Sequence, residues 1–354
     1  MKTCRILVAP LDWGLGHATR CIPVIHLLLN KGYEVHVASS GDAQRLMQLE
    51  FSQLKQYTLP SYNVRYSRSL PFMLKVFLQL PKFLFTIIKE KKAIEELANE
   101  NKYDLIISDN RYGCRASNVK SVFICHQLNI IMPPWLAWFA PVINYFNHRW
   151  ISLFDQCWIP DDPSVSLTGK LSHPSLPNAE WIGVLSRFER NDTIDRVYQL
   201  AVVLSGPEPQ RSLFEKKILA QLEGIGIKSI LVRGKLDADV MTTDNENLII
   251  INYLQGAELQ NLIERSELVL CRSGYSTVMD LSKLEKKVIF VPTPGQTEQE
   301  YLGFELMKKG VAFCQHQNEF DLKEALQEIK NYTGFAGSSG QTNLLNKAIE
   351  GVLK

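Results

Sequence analysis

Residues 271–280 (CRSGYSTVMD) combine the residue types that bind a diphosphate and a neighbouring diol. They follow an apolar run that predicts a buried strand, and they lead into a segment with helical spacing. Exposed amides at such a helix start, flanked by hydroxyl groups, form a cradle for an anion. Taken alone, the segment equally fits a capped helix with an acid in its first turn. The candidate ligand-binding residues are Arg272, Ser273, Gly274, Tyr275, Ser276, Thr277 and Asp280.

Two further polar loops are expected after strands in the same half of the chain, at residues 204–211 and 291–301. Because the carboxyl ends of parallel strands meet at one edge of a sheet, these loops should converge on residues 271–280. This convergence favours a binding site over a simple capped helix. The loops and their surroundings add Gly206, the cation Arg233, and the side chains Gln296, Gln299 and Glu300, which could contact sugar hydroxyls.

In the first half of the chain, residues 11–20 (LDWGLGHATR) follow the first predicted strand. Gly14 and Gly16 permit a tight turn with positive φ and a close approach by a ligand. His17 then lies at the start of the next helix, where its pKa near ~6.5 suits a general base. Asp12 and Asp109 are alternative bases. The competing interpretation is an ordinary strand–helix turn with a solvated histidine.

The same glycine loop does not fit a dinucleotide-binding fingerprint. That fingerprint needs a third glycine and an acidic residue at the end of the second strand. Thr19 occupies the third glycine position, and the second predicted strand ends at Ser39 and Ser40. The sequence therefore argues against NAD.

The elements that must position these residues alternate between short β-branched runs and longer helical ones. Such alternation predicts parallel sheets covered by helices on both faces. A length of 354 residues suggests two α/β domains, and 45% hydrophobic with 21% charged residues indicates globular cores. A net charge of +2 gives no indication of nucleic-acid binding. The predicted strands are 5–9, 34–38, 104–108, 121–125, 201–205, 229–233, 248–252, 268–271, 288–291 and 311–313.

Residues 160–178, rich in Pro, Ser and Asp, are predicted as the linker between the domains. We expect two Rossmann-like doubly wound domains, over residues 1–165 and 178–335, facing an interdomain cleft that is the default ligand site. A last helix within 336–354 could pack back on the first domain. In the linker, Asp161 and Asp162 predict a turn rather than a metal site.

Cysteine and hydropathy patterns indicate the compartment. Seven scattered cysteines without a CxxC pair predict free, buried thiols in a reducing cytosol. The N-terminus resembles a first strand more than a signal peptide, and no apolar run reaches ~18 residues. We expect a cytoplasmic protein, with a peripheral membrane contact at the inner face as one possibility. Residues 65–92 and 132–150 carry that possibility, because they combine apolar helices, basic residues and tryptophans. The alternative is that both are ordinary core helices.

These features resemble the MurG-type, family 28 glycosyltransferases, whose best-known member adds N-acetylglucosamine to lipid I. The likeness spans nearly the whole chain and is most specific at residues 271–280 and the loop that follows the next strand. It implies the GT-B fold. Asp280 stands where the family has a glutamate that binds the uridine ribose. The residues implied to hold the donor diphosphate are Ser273, Gly274, Ser276 and Thr277.

Further contacts follow from the same resemblance. Leu254 falls where the family's backbone binds uracil, and Gln299 matches a glutamine that contacts the sugar. Glu300 replaces a second glutamine, so the resemblance leaves the sugar open between an N-acetylhexosamine and a hexose. On the acceptor side, Gly14, Gly16 and His17 resemble the family's glycine loop. Residues 126–129 (HQLN) resemble its HEQN segment but keep only His126 and Asn129. A group of uncharacterised glycosyltransferases with GLGHATR and TPGQTEQE segments is more similar still.

The resemblance implies a metal-independent, inverting hexosyltransferase that needs no cofactor. It would move a sugar from a UDP-sugar to a hydroxyl of a glycan or glycolipid acceptor, with a lipid-linked or cell-envelope glycan as the acceptor class that the resemblance suggests. Two alternatives remain open, a UDP-sugar 2-epimerase of the same fold and a noncatalytic nucleotide-sugar-binding protein. The epimerase would act on the donor alone. The binding protein would have lost His17 or the second glycine loop, and both are retained.

Overall fold

The structure is a computed structural model that describes residues 4–62, 72–173, 176–191, 193–235, 245–337 and 343–354, with the backbone alone for 72–78. The chain divides into two compact units. Met1–Arg187 and Gly340–Lys354 form the first unit, and Phe188–Ser339 forms the second. Each unit is built around one parallel β-sheet.

The sheet of the first unit has seven parallel strands in the order β3-β2-β1-β4-β5-β6-β7. Along β1, Ile6 and Val8 point to one core and Leu7 and Ala9 to another, as the two-residue period of a strand requires. Helices must therefore cover both faces. The strands are β1 (Arg5–Pro10), β2 (Glu34–Ser39), β3 (Lys55–Thr58), β4 (Leu105–Asp109), β5 (Lys120–Ile124), β6 (Gln156–Ile159) and β7 (Ala179–Trp181). The helices are α1 (Leu15–Asn30), α2 (Gly41–Glu50), α3 (Phe72–Asn101) and α4 (Ala140–Ile151), preceded by a 3-10 helix at Pro134–Phe139.

The sheet of the second unit has six parallel strands in the order β10-β9-β8-β11-β12-β13. Alternate strand residues again pack into two separate cores, one on each face. The strands are β8 (Tyr198–Val203), β9 (Ser229–Val232), β10 (Leu248–Ile251), β11 (Ser266–Cys271), β12 (Lys287–Phe290) and β13 (Phe313–Cys314). The helices are α5 (Gln210–Leu222), α6 (Gly256–Glu264), α7 (Tyr275–Lys283), α8 (Thr297–Lys308) and α9 (Leu322–Glu328).

The last helix, α10 (Leu344–Leu353), belongs to the first unit. Its buried face, with Ala348, Ile349 and Val352, joins the core that lies under α1. Lys31 at the end of α1 also forms an ion pair with Glu350 at 2.7 Å. The helix α10 thus packs into the core of the first unit.

In both sheets the strand order reverses at one point, between β1 and β4 in the first unit and between β8 and β11 in the second. Open α/β sheets bind ligands at the carboxyl ends of the strands beside such a switch point. The predicted α/β class with two doubly wound domains is confirmed, and each predicted strand overlaps an observed one. All seven cysteines are free and six are buried, as predicted.

The predicted linker at 160–178 is wrong, because this segment lies inside the first unit. β7 pairs in parallel with β6, so the chain enters the second unit at Phe188, later than the predicted boundary. Asp161 is buried and accepts hydrogen bonds from the amides of Asp162, Leu167 and Thr168. The polar composition therefore reflects a tightly bonded turn. Among the helices that the structure describes, none is long and apolar enough to cross a membrane.

Candidate functional site

His17 and Asp109 meet at the switch point of the first sheet. His17 lies in the first turn of α1, directly after β1, and Asp109 is the last residue of β4. Pro10 and Asp109 are partners in the parallel register, which brings the two loops to the same edge. His17 Nδ1 lies 2.7 Å from Asp109 Oδ1. The side chain of Asp109 is fully buried, whereas that of His17 is 14% exposed.

Arg20, one turn further along α1, completes this cluster. Its guanidinium donates from Nε and Nη2 to the two carboxylate oxygens of Asp109, a bidentate ion pair. Nη1 lies 2.6 Å from Nδ1 of His126, and Nη2 lies 2.9 Å from Nδ1 of His17. One buried arginine therefore contacts Asp109, His17 and His126 together.

The protonation states of the cluster follow from these contacts. Burial alone would raise the pKa of Asp109, but Arg20 and His17 outweigh it and hold this pKa well below its usual range. Nδ1 of His17 has two neighbours, Asp109 Oδ1 at 2.7 Å, which can only accept, and Arg20 Nη2 at 2.9 Å, which can only donate. Because the carboxylate is the nearer and Nη2 already donates to that carboxylate, we assign the His17 proton to Nδ1, which leaves the Nε2 lone pair bare. Burial first, and then the charge of Arg20, lower the pKa of His17. His17 is therefore neutral at pH 7, in the form that a general base requires.

The other two first-unit predictions lie elsewhere. Asp12 accepts from the hydroxyl of Ser61 and from the amide of Tyr62 at 3.3 Å, and its Oδ1 lies 3.3 Å from Nη2 of Arg111. Asp12 is thus engaged in a buried network with Arg111. Asn129 donates to the carbonyls of residues 170 and 173, at 2.9 and 3.3 Å, and so holds the loop that carries them. Gly14, with φ of +86°, and Gly16 frame the start of α1.

In the second unit, the predicted anion cradle is the start of α7, directly after β11. Ser273 is fully buried, and its hydroxyl donates to the carbonyl of Gln299 at 2.7 Å, so it ties this loop to α8. Tyr275 faces the core, whereas Gly274, Ser276, Thr277 and Asp280 are partly exposed. Among the predicted cradle residues, the polar side chains that are not fully buried are therefore Ser276, Thr277 and Asp280.

Arg272 points away from this cradle. It is 2% exposed and stacks on the ring of Phe214 at 4.4 Å. Its guanidinium donates to the carbonyls of Val291, Pro292 and Gln210 and to Oε1 of Gln317, at 2.6–3.2 Å. Burial lowers its pKa to about 10. Arg272 is thus an internal brace between the loops that follow β11 and β12 and the start of α5.

The polar side chains of the loop after β12 bond mainly to each other. Gln299 accepts from the amide of Thr293 at 2.9 Å and donates to Gln296 at 2.8 Å. Glu300 accepts from the amide of Gly295 at 3.1 Å. A Cβ on Gly206 would lie 3.5 Å from Thr293 Oγ1, and one on Gly274 would lie 4.0 Å from Gln299 Nε2. The three loops therefore converge, as the sequence predicts.

Arg233 and Lys235 share one carboxylate. Glu215 accepts from Arg233 Nε at 2.6 Å and from Lys235 Nζ at 2.5 Å. Arg233 also donates to Asn252 at 3.0 Å, at the end of β10. Leu254 packs beside the core that covers this end of the sheet. Two cations thus share one carboxylate beside the end of β9.

Sequence reasoning missed Arg20. Its spacing of three residues from His17 places both on one face of α1, which is the signal that could have found it. Its partner Asp109 lies 89 residues further along the chain, so the ion pair itself carries no local signal.

Comparisons with known proteins agree with this geometry. Residues 214–347 match the glycosyltransferase family 28 C-terminal domain. The UDP-N-acetylglucosamine–N-acetylmuramyl-(pentapeptide) pyrophosphoryl-undecaprenol N-acetylglucosamine transferase of Sulfurihydrogenibium is 31% identical over 136 residues, 37% of this chain and 38% of that one. The enzyme of the same name from Rickettsia felis is 22% identical over 89% of this chain and 87% of its own. An uncharacterised glycosyltransferase of Methanosarcina acetivorans is 24% identical, over 84% and 81% of the two chains.

Solved structures give the fold. The calicheamicin glycosyltransferase CalG4 superposes with a TM-score of 0.71 at 11% identity, covering 100% of this chain and 99% of that one. MurG of Acinetobacter baumannii superposes with a TM-score of 0.60 at 14% identity, covering 99% of each chain. These likenesses show the GT-B fold. Together with the family 28 match and the named relatives, they make the chain a glycosyltransferase.

The brace formed by Arg272 generates a stability prediction. Arg272→Met keeps an apolar stem over Phe214 but leaves four acceptors without their donor. We expect the free energy of unfolding of the second unit to fall by about 2–5 kcal/mol in urea titrations. The control is Arg265→Gln at an exposed position, which should change it by less than about 0.5 kcal/mol. Equal effects of the two substitutions would contradict the bracing role.

Proposed function

We propose that this glycosyltransferase moves a sugar, an N-acetylhexosamine or a hexose, from a UDP-sugar to a hydroxyl of a lipid-linked or cell-envelope glycan. The observation that carries the proposal is the contact of 2.7 Å between His17 and Asp109, which leaves Nε2 of His17 as a base at the switch point of the first sheet. The relatives named for transfer of N-acetylglucosamine to an undecaprenol-linked acceptor support the substrate class.

The first unit supplies the base. Nε2 of His17 takes the proton of the acceptor hydroxyl as its oxygen attacks the anomeric carbon of the donor. Asp109 holds the imidazole in the required tautomer and stabilises the imidazolium that forms, as the buried carboxylate does in other His–Asp pairs. A single displacement of this kind inverts the configuration at the anomeric carbon.

The second unit holds the donor. Amides at the start of α7, with the hydroxyls of Ser276 and Thr277, bind the diphosphate and stabilise the charge that develops on it as the sugar leaves. Asp280 binds the ribose diol. Leu254 lies at the end of the sheet next to the paired cations Arg233 and Lys235, a position suited to the uracil ring. In this proposal the amides and the helix dipole stabilise the leaving diphosphate in place of a metal ion.

A peripheral membrane contact belongs to the same proposal, because a lipid-linked acceptor lies in a bilayer. Large apolar side chains are exposed on α3, on the 3-10 helix at Pro134–Phe139 and on α4, where core helices would bury them. Lys89 lies 4.5 Å from the ring of Phe85, so a cation lies within this apolar surface. Arg65 and Arg68 lie outside the described residues, and so does the side chain of Lys75. The exposed apolar residues are Leu84, Phe85, Ile88, Trp135, Trp138, Tyr145 and Phe146, between 44% and 76% exposed.

A groove joins the two apolar helices. It has a volume of about 200 Å³ and is lined by Ile88 on α3, by Trp150 at the end of α4 and by Tyr112 between them. The cations Lys91 and Arg115 lie at the same groove. Apolar side chains rimmed by cations are typical of surfaces that bind anionic lipid.

Removal of the base should stop transfer without removing the donor site. His17→Ala is expected to lower UDP release about 10²–10⁴-fold, with UDP-N-acetylglucosamine or UDP-glucose as donor and a bacterial lipid extract as acceptor. The affinity for UDP, measured by calorimetry, should stay unchanged because it depends on the second unit. His26→Ala, at an exposed histidine on the same helix, is the control. Retained turnover in His17→Ala would remove His17 as the base, and a sugar epimer formed from the donor alone would identify an epimerase instead.

Vesicle binding tests the membrane surface. The protein should co-sediment with vesicles of phosphatidylglycerol and phosphatidylcholine, and added salt should release it. Phe85→Ser with Trp138→Ser should weaken binding, because both side chains are exposed and apolar. Leu49→Ser, at a position 76% exposed on α2, should leave binding unchanged. Protein that stays in the supernatant at low salt would contradict a membrane contact.

A further inference from the structure

We propose that Arg20 is a positioning residue that orients the Asp109 carboxylate against Nδ1 of His17 and keeps this imidazole uncharged until it takes a proton from the acceptor. The inference rests on the proposed role of His17 as the base. It adds a third residue to the His17–Asp109 pair and gives that residue a defined electrostatic task.

Arg20 is held rigidly by its burial and its hydrogen bonds. The residue is 3% exposed, and all three nitrogens of its guanidinium have partners within the cluster. Because the ion pair is bidentate, the plane of the Asp109 carboxylate is fixed, and Oδ1 is held beside Nδ1 of His17. A lysine could supply the charge but not this planar fork.

The two histidines beside the Arg20–Asp109 ion pair take opposite tautomers. At His126, Nη1 of Arg20 donates to Nδ1, so this ring carries its proton on Nε2. At His17, Oδ1 of Asp109 is nearer to Nδ1 than Nη2 of Arg20 is, at 2.7 against 2.9 Å, so this ring carries its proton on Nδ1 and none on Nε2. The rings are 6.4 Å apart between centroids. One imidazole is thus set to accept a proton and the other to donate a hydrogen bond.

The charges around His17 come from three elements. Arg20 lies on α1, Asp109 ends β4, and His126 follows β5. Cys21, whose thiol is 3.5 Å from Asp109 Oδ2, has a pKa raised well above its usual value by burial and by Asp109, so it stays neutral. Asp109 by itself would draw a proton onto His17. Arg20 balances that carboxylate, so the pair presents almost no net charge to the imidazole.

The neighbours of His17 change its pKa in opposite directions. Burial and Arg20 lower the pKa of His17, and Asp109 raises it. Removal of Arg20 should therefore make His17 protonate at higher pH, whereas removal of Asp109 should make it protonate at lower pH. The protonated His17 ring cannot act as a base. Each pH unit by which the midpoint of His17 protonation rises therefore lowers kcat/KM about tenfold on the acid side of the pH profile.

The test uses the full chain with ¹³C-labelled histidine. The NMR titration of the His17 ring, assigned by its absence in His17→Gln, reports the midpoint without any need for turnover. We expect the midpoint to rise in Arg20→Gln, to fall in Asp109→Asn and to return toward the wild-type value in Arg20→Lys. The acid limb of the pH profile of kcat/KM should move in the same directions.

Arg20→Gln leaves a buried carboxylate without its cation and could unfold the first unit. In that case Arg20→Gln/Asp109→Asn is compared with Asp109→Asn, and the midpoint should again be higher in the variant that lacks the arginine. An unchanged or lower midpoint on removal of Arg20 would overturn the inference. If the midpoint rises in Arg20→Gln but the wild-type protein transfers no sugar, the role of Arg20 would be supported and the proposed function refuted.

Discussion

The chemistry of the first unit depends on one buried carboxylate. Asp109 ends β4 with no exposed surface, and an uncompensated charge at such a place would cost many kcal/mol. Arg20 balances it from α1, so the ion pair fixes the rotation of that helix relative to the sheet. His17, three residues earlier on the same helix, is then held against the carboxylate. The position and the tautomer of the candidate base are both consequences of how this charge is buried.

In the second unit, some of the predicted donor-site residues support the loops and others remain available to a ligand. Arg272 and Gln299 are the polar side chains that a sequence comparison would assign to the donor, yet both are occupied by bonds within the protein. They hold the loops around the start of α7. The polar residues of that helix start that remain partly exposed are Ser276, Thr277 and Asp280. Recognition of a diphosphate by amides and a helix dipole tolerates wide sequence change, which fits a fold shared at 11–14% identity with glycosyltransferases such as CalG4 and MurG.

The sequence predicts the two sheets well, because buried parallel strands are short β-branched runs and the glycine loops mark their carboxyl ends. It fails at residues 160–178, where a polar composition typical of linkers belongs to a bonded turn around Asp161. The sequence also does not predict the direction in which buried charged side chains point. Nothing local shows that Arg272 turns inward, or that Arg20 meets an aspartate 89 residues away. The local sequence pattern predicts where the loops lie. The pairing of buried charges depends on how distant strands and helices come together in the sheet, which no local pattern shows.

The tautomer of His17 in the wild-type protein at neutral pH tests the account most directly. Long-range ¹H–¹⁵N correlation spectra of the imidazole distinguish protonated from bare ring nitrogens. The buried Asp109–Arg20 pair requires a proton on Nδ1 and a bare Nε2. A proton on Nε2, or on both nitrogens, would contradict it, because Nε2 could not then accept a proton from an acceptor hydroxyl.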